Sequence, residues 1–308
     1  MKVVIAGGSG QVGTILARHL RSRGDEVTVV SRGRQGAPWD SLGDTLEASD
    51  VCINLAGRSV NCRYHAENRR EILASRVQTT LAIHSTLARL RRPPRLWVNA
   101  STATIYRHAL DRPMDEMSGE LGGNEVGAPY TWKFSVDVAK AWERAFFGTK
   151  TRGTRQVAIR SAMTFSPDRG GVFDVLLQLV RFGLGGTQGT GTQFVSWIHE
   201  TDFCRAVDLI VQREDLSGAI NLASPNPLSN REFMRELREA WGTRVGIPVP
   251  TPLLEMGALL RRTESELVLK SRRVVPRVLL DAGFEFTYPE WTAAARDLVA
   301  RWRAMRRR

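Results

Sequence analysis

Three glycines near the start of the chain have the spacing of a phosphate-binding turn. Gly7, Gly10 and Gly13 follow the apolar segment 3–6 and precede a segment with helical apolar periodicity. Glycine permits a tight turn, lets backbone approach a pyrophosphate, and lets a helix pack closely on a sheet. The N–H groups and positive dipole end of the helix would bind phosphate. This order of strand, turn and helix predicts a dinucleotide site formed by Gly7, Gly8, Ser9, Gly10, Gln11, Val12 and Gly13.

The end of the second strand pattern indicates which dinucleotide is bound. Sites for NAD usually carry Asp or Glu there, which accepts from the ribose 2′-OH. This chain has Ser31 and Arg32, with Arg34 just beyond. A guanidinium favours a 2′-phosphate because its planar fork can bond two phosphate oxygens. The sequence therefore predicts NADP as cofactor; the alternative is that Arg32 is a solvated side chain in an arginine-rich chain.

The elements that must position these residues alternate between strand and helix through the first half of the chain. Such alternation predicts a parallel sheet with crossover helices. Strands are predicted at 2–6, 26–31, 51–55, 95–100, 156–160 and 219–223. Helices are predicted at 11–23, 64–91, 131–148 and 203–213. The segment 33–50 is short, so we expect one strand–helix unit there to be abbreviated.

Composition narrows the class of protein. The 308 residues carry a formal net charge of +12, spread over several arginine clusters, and no nucleic-acid-binding motif is present. We therefore expect solvated basic faces and no specific nucleic-acid partner. No apolar run reaches 18 residues and the apolar start is too short for a signal peptide, so we expect a cytoplasmic protein with no membrane segment. Three scattered cysteines predict neither disulfides nor a metal site.

Several segments resemble the extended short-chain dehydrogenase/reductase superfamily, in its NAD(P)-dependent epimerase/dehydratase group. The segment 51–57 resembles that group's strand-four motif, and 101–106 resembles its strand-five segment. A narrower resemblance is to an atypical subgroup, the epimerase family proteins with a small C-terminal domain of unknown function. The residues that carry it are 54–57, 71–76, Thr79-Thr80, Trp142-Glu143, 183–186, Gly189, Gly191, 197–199, Asp202, 271–276, 283–286 and Tyr288-Pro289.

The resemblance implies an α/β fold, a Rossmann-type doubly wound parallel sheet with a smaller, mainly helical C-terminal substrate lobe. We expect an NADP-binding domain over 1–223, with a lobe-forming insertion near 166–198, and a substrate or lid lobe over 224–308. The cofactor would lie at the carboxyl ends of strands one and four. Dimers are common in the superfamily, and the helices at 64–91 and 131–148 would then be the candidates for a homodimer interface.

The resemblance also implies which further residues contact NADP. These are Ser31, Arg32, Leu55, Ala56, Gly57, Glu71, Arg76 and Thr164. For Glu71 and Arg76 the alternative is a surface ion pair, which would contribute little to stability.

The usual catalytic pair of the superfamily is absent. Its enzymes normally carry Tyr-x-x-x-Lys on one helix, where the tyrosine transfers a proton as hydride moves. No tyrosine of this chain has a lysine four residues later. Counted back from Glu143, the tyrosine position is Ser135 and the lysine position is Ala139. Hydride transfer by the ordinary route is therefore in doubt.

Other polar residues are candidates for catalysis. Thr102 occupies the catalytic Ser/Thr position and could orient a carbonyl; alternatively it is a strand-end hydroxyl bonded to backbone. Tyr106 could be a displaced acid or could line the pocket. His199 and Asp202 could form an acid–base pair, although we expect His199 to be packed and Asp202 to cap a helix.

These observations predict an NADP-dependent oxidoreductase or epimerase-like enzyme that acts on a small polar, sugar-like substrate. The alternative is a non-catalytic NADP(H)-binding redox sensor or scaffold protein, since the tyrosine–lysine pair is missing.

Overall fold

The computed structural model describes residues 1–33, 36–260, 264 and 266–307 of the chain. Arg34, which the sequence places beside the dinucleotide site, lies outside the described residues.

The described residues form ten strands and eleven helices. In chain order, strands β1 to β10 are Lys2–Ala6, Glu26–Val30, Val51–Asn54, Leu96–Thr102, Arg155–Ser161, Met163–Phe165, Phe194–Val195, Trp197–His199, Gly218–Leu222 and Leu228–Ser229. Helices α1 to α11 are Gln11–Ser22, Leu42–Leu46, Ala66–Leu87, Tyr130–Phe147, Val172–Arg181, Glu200–Gln212, Asn230–Trp241, Thr251–Leu260, Glu266–Leu269, Arg277–Asp281 and Trp291–Arg306.

Six strands form one parallel sheet in the order β2-β1-β3-β4-β5-β9. Ala6 lies opposite Val30 on one side and Asn54 on the other, so β1, β2 and β3 end at the same edge. Alternate residues of a strand point to opposite faces. Val3 and Ile5 pack in the core beneath α1 and α6, whereas Val4 and Ala6 pack with α3 and α4. Because both faces are covered, the central strands β1 and β3 are apolar on both sides over residues 3–6 and 51–53. The Rossmann-type fold expected from the sequence is confirmed.

The segment before β3 is the abbreviated unit. Within residues 36–50 the structure has a short 3-10 helix, Trp39–Ser41, and the five-residue α2, with no strand beyond a single bridge from Ala37 to Val30. The strand that carries the 51–57 motif is therefore third along this chain rather than fourth.

One predicted helix start is wrong. Helix α6 begins at Glu200, three residues before the predicted start, because the His199 side chain accepts from the Thr201 N–H and caps it. Asp202 instead accepts from the backbone N–H groups of Thr287 and Tyr288, both at 2.8 Å.

A second apolar core lies away from the sheet and includes the C-terminal helix α11. Trp291 stacks on Phe233 at 4.2 Å and contacts Trp197 edge-on at 5.1 Å. The segment after α9 packs against the loop after β4, where the Met114 N–H donates to the carbonyl of Arg273. The C-terminal region is therefore mainly helical and interleaved with the rest of the chain.

Across the described ranges, no helix is both long and apolar enough to cross a membrane. No cluster of three metal-ligating side chains occurs there either. Cys52 and Cys204 are buried, and burial raises the pKa of both thiols.

Candidate cofactor groove and adjoining pocket

The turn between β1 and α1 uses its three glycines differently. Gly7 has a φ of 75°, and a Cβ there would lie 2.4 Å from the Cα of Ala56. A Cβ on Gly13 would lie 2.5 Å from the Cα of Gly8. A Cβ on Gly10 would meet no described atom within 4 Å. Two glycines are thus required by the protein's own packing, whereas Gly10 leaves open space in front of the N-terminus of α1.

A groove of about 550 Å³ lies at the edge where β1, β2 and β3 end. The predicted residues that line it are Gly7, Ser9, Gly10, Ser31, Arg32, Leu55, Ala56 and Gly57. It is also lined by Trp39, Ser75, Gln78 and Thr79, which the sequence did not predict as cofactor contacts. Arg32 is exposed at its end, and no described carboxylate is among the lining residues. The groove therefore fits a phosphorylated dinucleotide, since it offers a cation and open backbone N–H groups where phosphates would lie.

The other predicted cofactor residues lie outside the groove lining. Gln11 donates to the Ser166 hydroxyl at 3.1 Å, and Val12 packs against the main core. Gly8 borders a neighbouring cavity beside α1. Thr164 is 7% exposed, and its hydroxyl oxygen lies 3.2 Å from that of Ser161.

Glu71 and Arg76 diverge, although both are on α3. Glu71 is exposed and forms an ion pair with Arg58. Arg76 turns inward over the Trp142 ring, 5.1 Å from its centroid, and donates to the carbonyls of Arg58 and Ile72 at 3.0 Å. Burial lowers the pKa of Arg76 to about 10, so its guanidinium stays charged at neutral pH.

A buried amide network holds the end of β3. Asn54 Nδ2 donates to Asn99 Oδ1 at 2.7 Å, and Asn54 Oδ1 accepts from the Ala56 N–H at 3.0 Å. Thr80 accepts from Asn54 at 3.3 Å and from the Trp142 indole at 3.1 Å. This network fixes the turn at Ala56 against α3 and α4.

A pocket of about 260 Å³ adjoins the groove and contains the two positions of the missing catalytic pair. Ser135 and Ala139 line it from α4, and Thr102 lines it from the end of β4. The Thr102 oxygen accepts from the Thr104 N–H at 3.2 Å, which leaves its own proton able to donate into the pocket. This contact agrees with the alternative of a strand-end hydroxyl bonded to backbone, and the role in orienting a carbonyl stays a prediction.

Three further polar residues of the pocket were not predicted from the sequence as site residues. Tyr64 precedes α3, while Glu266 and Arg272 come from the C-terminal region. Glu266 is 2% exposed; its carboxylate accepts from the Ser135 hydroxyl, and its Oε1 lies 3.5 Å from Arg272 Nη2. Sequence patterns missed them because contacts across about 130 residues leave no local periodicity.

Tyr106 lies elsewhere, in a buried network behind the pocket. It is 2% exposed, donates to Asn221 Oδ1 at 3.0 Å and accepts from Arg160 Nη1 at 2.8 Å. Burial raises the pKa of its phenol. Arg160 in turn donates to Glu143 at 2.7 and 2.8 Å. Tyr106 is not among the pocket-lining residues, and its hydroxyl is engaged with two described partners.

His199 does not pair with Asp202. Its Nε2 lies 3.0 Å from Asp297 Oδ2, and its ring lies 4.0 Å from that of Tyr288. His199 is fully buried, which agrees with the expectation of a packed side chain. It is not among the residues that line the pocket.

Comparison with known proteins gives matches over most of the chain. Residues 3–223 match the model of the NAD dependent epimerase/dehydratase family, and 249–298 match DUF1731, a domain of unknown function. The chain is 33% identical to the epimerase family protein SDR39U1 of Bos taurus, over 97% of this chain and 100% of that one. It is 27% identical to the epimerase family protein YfhF of Bacillus subtilis, over 97% and 98% of the two chains.

A solved structure resembles this one closely. The crystal structure of human epimerase family protein SDR39U1 (isoform 2) with NADPH superposes with a TM-score of 0.87 at 31% identity. The match covers 97% of this chain and 99% of that one. These matches confirm the family resemblance, including that of the C-terminal region.

Proposed function

The chain belongs to the NAD dependent epimerase/dehydratase family, and from this premise we propose that it binds NADP(H) and is an oxidoreductase acting on a small polar carbonyl compound or alcohol. The observation that carries the proposal is the groove itself. It has open space in front of Gly10, and it has Arg32 at the position where an NAD site would have a carboxylate. The presence of NADPH in the structure of the human relative supports the same cofactor.

Each part of the groove has a role in this proposal. The backbone at Gly10 and the start of α1 hold the pyrophosphate, and Ser31 with Arg32 holds the 2′-phosphate. Leu55, Ala56 and Gly57 form the opposite wall, with Arg76 and Thr164 nearer the reacting end. Glu71, which was expected to contact NADP, forms an exposed ion pair with Arg58 of the loop after β3. When bound, the nicotinamide supplies or accepts a hydride.

The pocket residues bind and orient the substrate. Thr102 donates to the substrate oxygen, and the apolar residues Phe134, Val138 and Trp142 exclude water from it. A volume of about 260 Å³ limits the reacting part of the substrate to a small group. Epimerisation at a carbinol carbon would use the same groups, and Tyr106 has no part as a proton donor because its hydroxyl is already engaged.

Replacement of Arg32 tests the cofactor assignment. Arg32→Ala is expected to weaken NADPH binding by about tenfold to a hundredfold, since a charge-assisted bond to phosphate is worth roughly 1.5–3 kcal/mol. Affinity for NADH, which lacks that phosphate, should be unchanged. Fluorescence titration with both dinucleotides measures the difference.

The matched control is Arg89→Ala, which removes an exposed arginine just beyond α3. Its NADPH affinity should equal that of the unaltered protein. Equal affinities for NADPH and NADH in the unaltered protein would contradict the preference for NADP.

A second candidate function is a non-catalytic NADP(H) sensor. The specific observation in its favour is that Ser135 and Ala139 face the pocket where the family normally has tyrosine and lysine. A screen of small aldehydes, ketones and alcohols separates the two candidates. Turnover with any compound favours the oxidoreductase; tight NADPH binding without turnover, with partner binding that depends on the redox state, favours the sensor.

A further inference from the structure

We propose that Glu266, Ser135 and Tyr64 form the acid–base group of this pocket, in which the Glu266 carboxyl exchanges a proton with the substrate oxygen through the Ser135 hydroxyl. The assignment rests on the proposed oxidoreductase function. It would supply the proton transfer that the missing tyrosine–lysine pair performs elsewhere in the family.

The first argument is position. Ser135 stands on α4 where the family's tyrosine would stand, and it lines the same pocket as Thr102. A serine is too short to replace a tyrosine's reach, but it is in hydrogen-bond contact with Glu266, whose Oε2 accepts from it. Ala139, one turn further along α4, carries no charge and is fully buried. The acid–base chemistry at this site must therefore come from another element.

The second argument is the state of the Glu266 carboxyl. It is 2% exposed, and among the described residues its Oε1 accepts no hydrogen bond, although Arg272 Nη2 lies 3.5 Å away. Burying a carboxylate that is incompletely bonded costs free energy. Burial accordingly raises the pKa of Glu266, against the opposing effects of Arg272, Ser135 and Lys270. A raised pKa increases the fraction of the carboxyl that carries a proton to donate.

Tyr64 supplies the third member of the group. It is 8% exposed, its ring contacts that of Phe134 at 5.1 Å, and it lines the same pocket as Ser135 and Glu266. Burial and the nearby Glu266 raise the pKa of Tyr64 to about 12. The phenol therefore stays protonated at neutral pH and adds a neutral hydrogen-bond donor to the wall of the pocket.

The segment that carries Glu266 is fastened over the pocket. Glu264 Oε1 accepts from the Tyr64 N–H at 2.7 Å, and Glu264 Oε2 lies 3.2 Å from Arg63 Nη1. Arg272 Nε donates to the Thr104 hydroxyl at 3.0 Å, which ties the same segment to the end of β4. The charged or titratable groups around Glu266 are thus Tyr64 before α3, Arg76 on α3, and Glu264, Lys270 and Arg272 from the C-terminal region.

The proton balance of a carbonyl reduction is simple. The substrate carbon takes a hydride, and the substrate oxygen takes the proton of Ser135 Oγ. Ser135 Oγ takes the proton of Glu266, which is left as a carboxylate beside Arg272 and is reprotonated from solvent after product release. Alcohol oxidation runs the same path in reverse.

The first test reads the carboxyl directly. Protein labelled with ¹³C at the glutamate side-chain carboxyl is titrated by NMR, and the Glu266 resonance is identified by its loss in Glu266→Gln. Its midpoint is expected above the value of about 4.3 for a solvated glutamate. Ser135→Ala should raise it further because it removes a donor to the carboxylate, whereas Ser85→Ala, on the exposed side of α3, should not change it. A midpoint near 4.3, or no response to Ser135→Ala, overturns the assignment.

The second test is kinetic. With a small aldehyde or ketone that the unaltered protein reduces, Glu266→Gln and Ser135→Ala are expected to lower kcat by about 10²-fold or more at unchanged NADPH affinity. Reduction by the unaltered protein should slow as pH rises through the Glu266 midpoint, and Glu266→Gln should lose that dependence. Glu255→Gln, exposed on α8, is the matched control.

The outcomes separate the two proposals. Turnover that persists equally in Glu266→Gln and Ser135→Ala overturns this inference and leaves the oxidoreductase function intact. Retained NADPH binding with no turnover of any compound by the unaltered protein contradicts the oxidoreductase function, and the catalytic assignment falls with it. Tyr64→Phe, a conservative change, covers the case in which Glu266→Gln fails to fold, and it should lower kcat while NADPH affinity is kept.

Discussion

At the scale of single residues, environment decides what a side chain can do. Tyr64 and Tyr106 are both buried, but only Tyr64 lines the pocket, while the Tyr106 hydroxyl is held between Arg160 and Asn221. Glu71 and Glu266 differ in the same way. Glu71 is exposed beside Arg58, whereas Glu266 is enclosed with an oxygen that accepts no bond from the described residues. Burial depends on how the chain packs, and it raises the pKa of Glu266.

Asn54 offers a residue-scale prediction about the cofactor groove. Asn54→Ala is expected to lower the free energy of unfolding by roughly 1–3 kcal/mol, because it leaves the buried Ala56 N–H without its acceptor and removes the 2.7 Å bond to Asn99 Oδ1. NADPH affinity should also fall, since Ala56 lines the groove. Urea unfolding and fluorescence titration measure the two effects. Asn61→Ala, at an exposed position, is the control, and equal losses of stability in both variants would contradict this reasoning.

At the scale of elements, a function depends on how an element ends. The turn from β1 to α1 brings backbone N–H groups to the edge of the sheet, and α4 brings Ser135 to the pocket beside it. Helix α9 has only four residues, yet it positions Glu266 against α4. The strands and helices that form the groove have a clear apolar periodicity in the sequence. Helix α9, which completes the pocket, is too short to have one.

Substitutions in the glycine turn should separate folding from binding. Gly13→Ala is expected to cost about 1–3 kcal/mol of stability or more, because its Cβ would lie 2.5 Å from Gly8 and this clash outweighs the gain of about 1 kcal/mol in helix propensity. Gly10→Ala should change stability by less than about 1 kcal/mol, since its Cβ meets open space. It should nevertheless weaken NADPH binding by about tenfold or more, because the added methyl group would occupy the space where the pyrophosphate of NADPH is proposed to lie.

Thermal unfolding measures the stability of the two glycine variants, and titration with NADPH measures their affinity for the cofactor. A Gly10→Ala protein that is stable and binds NADPH normally would show that the pyrophosphate does not approach this turn.

At the scale of the whole molecule, the C-terminal region is joined to the main domain by buried polar contacts as well as by its apolar core. His199, at the end of β8, bonds Asp297 on α11, and Asp202 on α6 accepts from the Thr287 and Tyr288 N–H groups. These contacts fix the C-terminal helices relative to the sheet. They thereby place the segment that covers the pocket.

This junction predicts how stability depends on pH. Burial lowers the pKa of His199, against the opposing effects of Asp297 and Asp202 and together with that of Arg301. The unfolded chain therefore binds the proton more readily, and stability should fall as pH falls below about 6.5. His199→Gln should show a smaller loss of Tm between about pH 7.5 and 5.5. The exposed His65→Gln variant is the control, and an unchanged pH dependence in His199→Gln would contradict the prediction.

Much of the fold could be predicted from local sequence patterns. The strands at 2–6 and 26–31, the glycine turn and the helix at 11–23 were predictable because period and turn chemistry are local properties. Ser31 and Arg32 were predictable for the same reason, since they follow the second strand pattern. Residues 55–57 were expected from the family resemblance, and Trp39 was not predicted. The boundary at Glu200 was not, because the side chain that caps α6 is a histidine rather than one of the usual capping residues.

The sequence by itself determined that this chain has a Rossmann-type sheet and that the usual tyrosine–lysine pair is absent. It also predicted, from Arg32 after the second strand, a preference for a 2′-phosphate, which the Arg32→Ala titration tests. Only the tertiary structure decided what stands in that pair's place. Glu266 approaches Ser135 from a segment 131 residues away along the chain. Neither its burial nor its hydrogen bond leaves a local pattern, because both arise when the C-terminal region packs over the end of the sheet.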